Sequence, residues 1–381
     1  MATNTDIPQG YKATALGIIP QEWKTIRLKD CFSISAGGDV QKDCFSEAPA
    51  LQYKYPIYSN SLFNHGLYGF TSHPRHKANS ITITGRGALG HAEYREIDFD
   101  AIVRLLVLAP KIPLNGQYIT EYINFRKPFF YESTGVPQLT APQIANIQVL
   151  FPPLGEQRKI AEVLGVWDKA IEKQARLIEK LALRKRGLMQ RLLSAKLRLP
   201  GFSEPWKKVK LGDVAELYQP QTIQSEDLSQ TGYPVYGANG LIGYYNNYNH
   251  EYPQVVITCR GSSCGTVNFT PGKCWITGNA MVLNVDNNRD VNKSFFYYLI
   301  SNSSFVNLIS GSGQPQIVRQ PLLKFELRIP PLKEQTAIAE VLTAADREID
   351  LAKEKLERLR RQKRGLMQQL LSGKKRVKIN I

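Results

Sequence analysis

Pro152-Pro153-Leu154-Gly155-Glu156-Gln157 opens a stretch that runs to Arg198, and Pro330-Pro331-Leu332-Lys333-Glu334-Gln335 opens another that runs to Arg376. The second begins 178 residues after the first, and the two agree at 25 of 47 positions without a gap. Ile160-Ala161-Glu162-Val163-Leu164 returns as Ile338-Ala339-Glu340-Val341-Leu342, and Lys185-Arg186-Gly187-Leu188-Met189-Gln190 returns as Lys363-Arg364-Gly365-Leu366-Met367-Gln368. A repeat of this quality means two copies of one structural unit.

Apolar residues in each copy fall three and four apart: Ile160, Leu164, Trp167, Ile171, Ile178, Leu181, Leu188 and Leu192, then Ile338, Leu342, Ala345, Ile349, Ala352, Leu356, Leu359, Leu366 and Leu370. A period near 3.5 sustained for about five heptads predicts a coiled-coil seam on a helix roughly 60 Å long. Acidic residues crowd the first half of each helix (Glu156, Glu162, Asp168, Glu172; Glu334, Glu340, Asp346, Glu348, Asp350) and basic residues the second. This polarity complements each helix dipole and favours antiparallel pairing, with Arg184, Lys185, Arg186, Arg361, Lys363 and Arg364 as candidates for pairing or for docking a partner. The alternative is that the basic halves are simply solvated. Gly187 and Gly365 inside the pattern predict a kink or the close approach of another helix. Leu199-Pro200-Gly201 should stop the first helix and Gly373 cap the second, leaving Lys375 to Ile381 as a frayed basic tail.

The segments between the helices also repeat. Trp23-Lys24, Ile26 and Leu28 recur as Trp206-Lys207, Val209 and Leu211. Tyr55-Pro56-Ile57-Tyr58 recurs as Tyr233-Pro234-Val235-Tyr236, and Gly135-Val136-Pro137-Gln138-Leu139 parallels Gly313-Gln314-Pro315-Gln316-Ile317. Strand-like Ile81–Thr84 and Val255–Thr258 run into Gly85-Arg86-Gly87 and Cys259-Arg260-Gly261, aromatic helices are expected over Tyr118–Phe125 and Phe295–Ser301, and short strands lead to each Pro-Pro. The organisation is an α+β domain over 1–151, a helix over 152–198, a second α+β domain over 199–329, and a helix with its tail over 330–381.

With 381 residues and a formal charge of +16, the chain suits a polyanionic partner, because neutralising phosphates releases counterions. A basic protein without such a partner, or one on an anionic membrane surface, is the other reading of charge alone. No apolar run approaches a membrane span, the first ten residues lack the pattern of a signal peptide, and five irregularly spaced cysteines suit a reducing cytosol. A cytoplasmic protein is therefore expected.

Catalytic patterns are sparse. The five histidines have no counterparts between the halves, and Cys259, Cys264, Cys274 and His250 match no familiar zinc spacing, so no catalytic or metal residue is assigned. Gly85-Arg86-Gly87-Ala88-Leu89-Gly90 fits a dinucleotide fingerprint only superficially, and its first glycine is Cys259 in the second copy. Twice, however, an arginine sits on a glycine-rich turn, suited to a phosphate or bidentately to guanine, or else to a local salt bridge. Arg86 and Arg260, with Tyr58, Asn60, Gln138, Tyr236, Asn239 and Gln316, form the candidate DNA-binding set. The tyrosine and asparagine segments are also ordinary turn formers, and the glutamines could pair only with backbone.

Two Trp-headed variable domains, each closed by Pro-Pro-Leu-x-Glu-Gln and a helix ending Lys-Arg-Gly-Leu-Met-Gln-x-Leu-Leu-Ser, resemble the specificity subunit of a type I restriction-modification enzyme. The likeness covers about Gly10 to Arg376. It implies two pseudo-two-fold-related target-recognition domains joined by two long antiparallel coiled-coil helices, each domain reading one half of a split, asymmetric site in double-stranded DNA. It also implies docking of two adenine methyltransferase subunits on the helices, and restriction subunits that join them. S-adenosylmethionine, ATP and Mg²⁺ would be used by those partners and no cofactor bound by this chain, which has neither a phosphate-loop motif nor the Asn/Asp-Pro-Pro-aromatic motif. The chain would be non-catalytic alone. A stand-alone enzyme acting on DNA, or a coiled-coil scaffold for proteins, is the alternative.

Overall fold

The computed structural model describes residues 7–126, 137–237, 240–311 and 313–378. They form two compact units, one of Met1–Gln174 with Lys355–Ile381 and the other of Ala175–Glu354. Each unit therefore holds one α+β domain with the start of one long helix and the end of the other.

In the first unit, Phe32–Ala36, Leu106–Pro110, Ser80–Ile83 and Ala92–Arg95 form an antiparallel sheet in that order. All four residues of Ser80–Ile83 are buried, as expected of a continuous β-branched run at the centre of a core. Helix Gly116–Arg126 supplies Tyr118, Ile119, Tyr122 and Ile123 to the same core. A second, smaller sheet has the order Asp100–Ala101, Tyr55–Tyr58, Leu67–Thr71, Phe45–Ser46. Entry strand Lys24–Arg27 pairs antiparallel with exit strand Gln148–Phe151, which explains why Trp23 and Pro152-Pro153 bracket the domain.

The second unit repeats this order. Glu216–Tyr218, Ala280–Asn284, Val255–Thr258 and Val267–Phe269 form its main sheet, and Gly240–Tyr245, Tyr233–Gly237 and Trp275–Ile276 the smaller one. Helix Lys293–Ser301 buries Phe295, Phe296 and Ile300, with Asn292 accepting from the Phe295 amide at its start. Lys207–Lys210 pairs with Glu326–Ile329 as entry and exit strands.

The long helices are Leu154–Leu192 and Leu332–Leu370, each of 39 residues. Their pairing is antiparallel: in the first unit Ile160, Ala161 and Leu164 share a core with Met367, Leu370 and Leu371, and in the second Leu192 and Leu193 share one with Ile338, Ala339 and Leu342. The expected seam is thus only partly helix on helix. Its ends sink into the domain cores, while Ile178, Leu181, Ile349 and Ala352 form a small cluster between the helices within the second unit.

Three local expectations need correction. Both helices run through Gly187 and Gly365, and among the described residues a Cβ at either would meet nothing within 4 Å, so no other described helix presses on them. The first helix stops at Leu192, before Leu199-Pro200, where Ala195 turns the chain at φ 58°; Gly373 does so at φ 74° in the second copy. Finally, Arg376 is not frayed: it bonds to Glu22 and Glu156.

Candidate nucleic-acid interface and helix anchors

Each unit is fastened by one buried carboxylate from its Pro-Pro-Leu-x-Glu-Gln motif. Glu156 is fully buried and accepts from Trp23 Nε1 at 2.9 Å and from Arg376 Nε and Nη2 at 2.6 and 2.9 Å. Glu334 likewise accepts from Trp206 Nε1 at 3.2 Å and from Arg198 Nε and Nη2 at 2.6 and 2.7 Å. Bidentate geometry matches a guanidinium to a carboxylate and supplies the partners that a buried charge needs. Hydrogen bonding to Glu156 pushes the Arg376 guanidinium above its ordinary value, burial opposing. The neighbouring glutamines finish the joint: Gln157 accepts from the Asn115 amide and donates to the Pro152 carbonyl, and Gln335 accepts from the Asn292 amide and donates to the carbonyls of Asp290 and Pro330. Both arginines are repeat-equivalent in the sequence, a signal that could have marked them.

A second pair of joints ties each domain helix to the long helices. Lys363 Nζ lies 2.9 Å from Glu121 and 2.6 Å from Asp168. Burial pushes the Glu121 carboxyl up, against the pull of Lys363. For Lys363, burial pulls down but attraction to Glu121 and bonds to both carboxylates outweigh it, and the net shift is upward. In the second unit Lys185 pairs with Asp346, and the Tyr298 hydroxyl, in place of a second carboxylate, donates to Asp346 at 2.8 Å. Arg184 pairs with Glu348. Arg186, Arg361 and Arg364 are exposed.

At the glycine-rich turns, residues far apart in sequence meet. In the first unit Asn60 Oδ1 accepts from the Gly85 amide at 2.7 Å, its Nδ2 donates to the Val103 carbonyl at 2.7 Å, and Arg86 Nη2 lies 3.4 Å from Gln138 Oε1. The Leu139 amide bonds the Gly85 carbonyl at 2.9 Å, docking the Pro-Gln-Leu segment against the turn. The second unit repeats the docking: the Ile317 amide bonds the Cys259 carbonyl at 2.9 Å, and Arg260 and Gln316 are bridge partners. Gly87 and Gly261, directly after the arginines, have φ of 67° and 83°, a conformation that glycine adopts without steric cost. Among the described residues neither Arg86 nor Arg260 has a carboxylate partner. The first turn therefore offers a guanidinium beside a carboxamide, a combination able to meet phosphate oxygens or base edges, and the second brings the backbones of Arg260 and Gln316 together.

The tyrosines sit differently. Tyr58 is half-buried, with the Arg95 guanidinium 3.6 Å from its ring centre. Arg95 itself is buried and donates to Thr82, a partner that sequence reading missed because the two lie on paired strands. Tyr236 is half-buried against the cluster of Val256, Cys274 and Ile276, and Asn239 lies outside the described residues. His250 is held by Tyr218 and Asn249. Burial pushes the Cys259 thiol up to about 11 and raises Cys264 and Cys274 as well, which opposes thiolate ligation. Among the described residues no group of three His, Cys, Asp or Glu is placed to hold a metal ion, and no helix is long and apolar enough to cross a membrane.

Residues 20–182 and 203–361 both match the family model described as the type I restriction modification DNA specificity domain. The chain belongs to this family of DNA-binding type I specificity subunits. It is 22% identical over 418 residues to the type I restriction enzyme MjaVIII specificity subunit of Methanocaldococcus jannaschii, covering 94% of each chain. A shorter match, 25% identical over 145 residues, covers 37% of this chain and 36% of the EcoprrI specificity subunit of Escherichia coli. Among solved structures, the type I S subunit from M. genitalium superposes with a TM-score of 0.66 at 17% identity, covering 92% of this chain and 96% of that one.

Proposed function

We propose that the chain is the non-catalytic reader of a type I complex, each domain recognising one half of a bipartite, asymmetric site in double-stranded DNA. The observation that carries this reading is the repeated docking of a glutamine-bearing segment against an arginine turn, Arg86 with Gln138 and Arg260 with Gln316, where neither arginine has a carboxylate partner among the described residues. Arginine can address guanine and glutamine can address adenine bidentately in the major groove, and a charge of +16 supplies general attraction to the backbone. Because the helices repeat closely while the domains have diverged, the two half-sites should differ in sequence. The exposed Arg186, Arg361 and Arg364 and the open surface over Gly187 and Gly365 suit two equivalent docking positions for adenine methyltransferase subunits. S-adenosylmethionine, ATP and Mg²⁺ would act on the methyltransferase and restriction partners.

The test is binding to duplexes altered in one half at a time. Arg86→Ala should cost about 1 to 3 kcal/mol of discrimination in one half-site and Arg260→Ala the same in the other. Uniform weakening on every sequence, with a shallower salt dependence, would make both arginines phosphate contacts instead.

A further inference from the structure

The small-sheet hairpin differs between the units. In the second, Gly237 pairs with Gly240, leaving a two-residue connection. In the first, Tyr58 pairs with Leu67, and the longer loop Ser59–Gly66 stands between them. Its base is fixed: the Ser59 amide bonds the Gly66 carbonyl at 2.8 Å, and Asn60 grips Gly85, next to Arg86. Its apex holds Leu62 and Phe63 in water, 53% and 85% exposed. Asn64 and His65 follow in the left-handed region, at φ 46° and 54°, and turn the chain sharply back. His65 Nδ1 lies 3.2 Å from Glu93, which secures the returning limb.

A loop anchored at both limbs, with its largest apolar side chains held out of any core and its base bonded next to a guanidinium that has no carboxylate partner among the described residues, fits a ligand with an apolar slot flanked by anions. A base-pair step between phosphates is such a ligand, and phenylalanine and leucine are among the side chains that enter it. We infer that Leu62 and Phe63 form a wedge that inserts between base pairs of the half-site read by the first unit. The inference rests on the DNA-reading role proposed for Arg86 and Gln138. Since the second unit lacks the loop, deformation is confined to one half-site, and an easily unstacked pyrimidine–purine step is favoured there.

The test uses the complex with its methyltransferase subunits and duplexes carrying 2-aminopurine at one position at a time. Fluorescence should rise at one step in the first unit's half-site, disappear in Phe63→Ala and persist in Phe63→Trp. The signal of a flipped target adenine would be indifferent to Phe63. Affinity of Phe63→Ala should fall about tenfold and recover when an abasic gap at that step removes the stacking in advance. If Phe63→Ala binds and unstacks like wild type while Arg86→Ala still loses half-site discrimination, the wedge is overturned and the DNA reading stands. A wild-type complex that does not bind DNA overturns both.

Discussion

Ala195 and Gly373 occupy the same place in the two repeats, and only one of them is suited to it. Both lie just past a helix end with positive φ, where a Cβ is unfavourable by roughly 1 to 2 kcal/mol. Ala195→Gly should therefore stabilise the second unit by about 1 kcal/mol in denaturant unfolding. Gly373→Ala should destabilise the first by more than that strain alone, because its new Cβ would meet Pro20 Cδ at 2.5 Å. The lysine joints are unequal too. Lys363→Met leaves Glu121 buried beside Asp168 without a cation, a loss of about 3 kcal/mol, part of which Glu121→Gln should restore. Lys185→Met should cost about 1 kcal/mol, because Asp346 is more open and keeps the Tyr298 hydroxyl. Equal losses in the two variants would show that the second carboxylate does not matter.

At the scale of elements, the helices, their antiparallel polarity and the bracketing of each domain were legible in the sequence, because period and repeat are local properties that burial follows directly. The cluster of Asn60, Arg86 and Gln138 was legible only as separate residues, since the hydrogen bonds that assemble it join segments 25 positions apart for Asn60 and Gly85 and 52 apart for Arg86 and Gln138. Arg95 over Tyr58 was hidden for the same reason. Gly187 and Gly365 show the converse: the pattern predicted a kink or a packed helix, and among the described residues no other helix packs there. Gly187→Ala and Gly365→Ala should each raise thermal stability of the isolated chain, by about 1 kcal/mol of helix propensity. If a methyltransferase helix packs on these positions, the same variants should weaken assembly in a titration monitored by size-exclusion chromatography. Unchanged assembly would move the docking surface elsewhere.

For the whole molecule, repetition places an arginine turn against a glutamine-bearing segment in each domain, and on the proposed reading one subunit would carry two different readers where a homodimer would carry two identical ones. The carboxylate anchors of Glu156 and Glu334 hold each domain to both helices. The measurement that tests this account most directly is modified-base sequencing of a host carrying the methyltransferase partner with the wild-type chain, with Arg86→Ala, or with no specificity chain. N6-methyladenine is expected at one split motif, absent without the chain, with only one half of the motif relaxed by Arg86→Ala. Methylation that persists unchanged without the chain, or a variant that alters both halves alike, would contradict it.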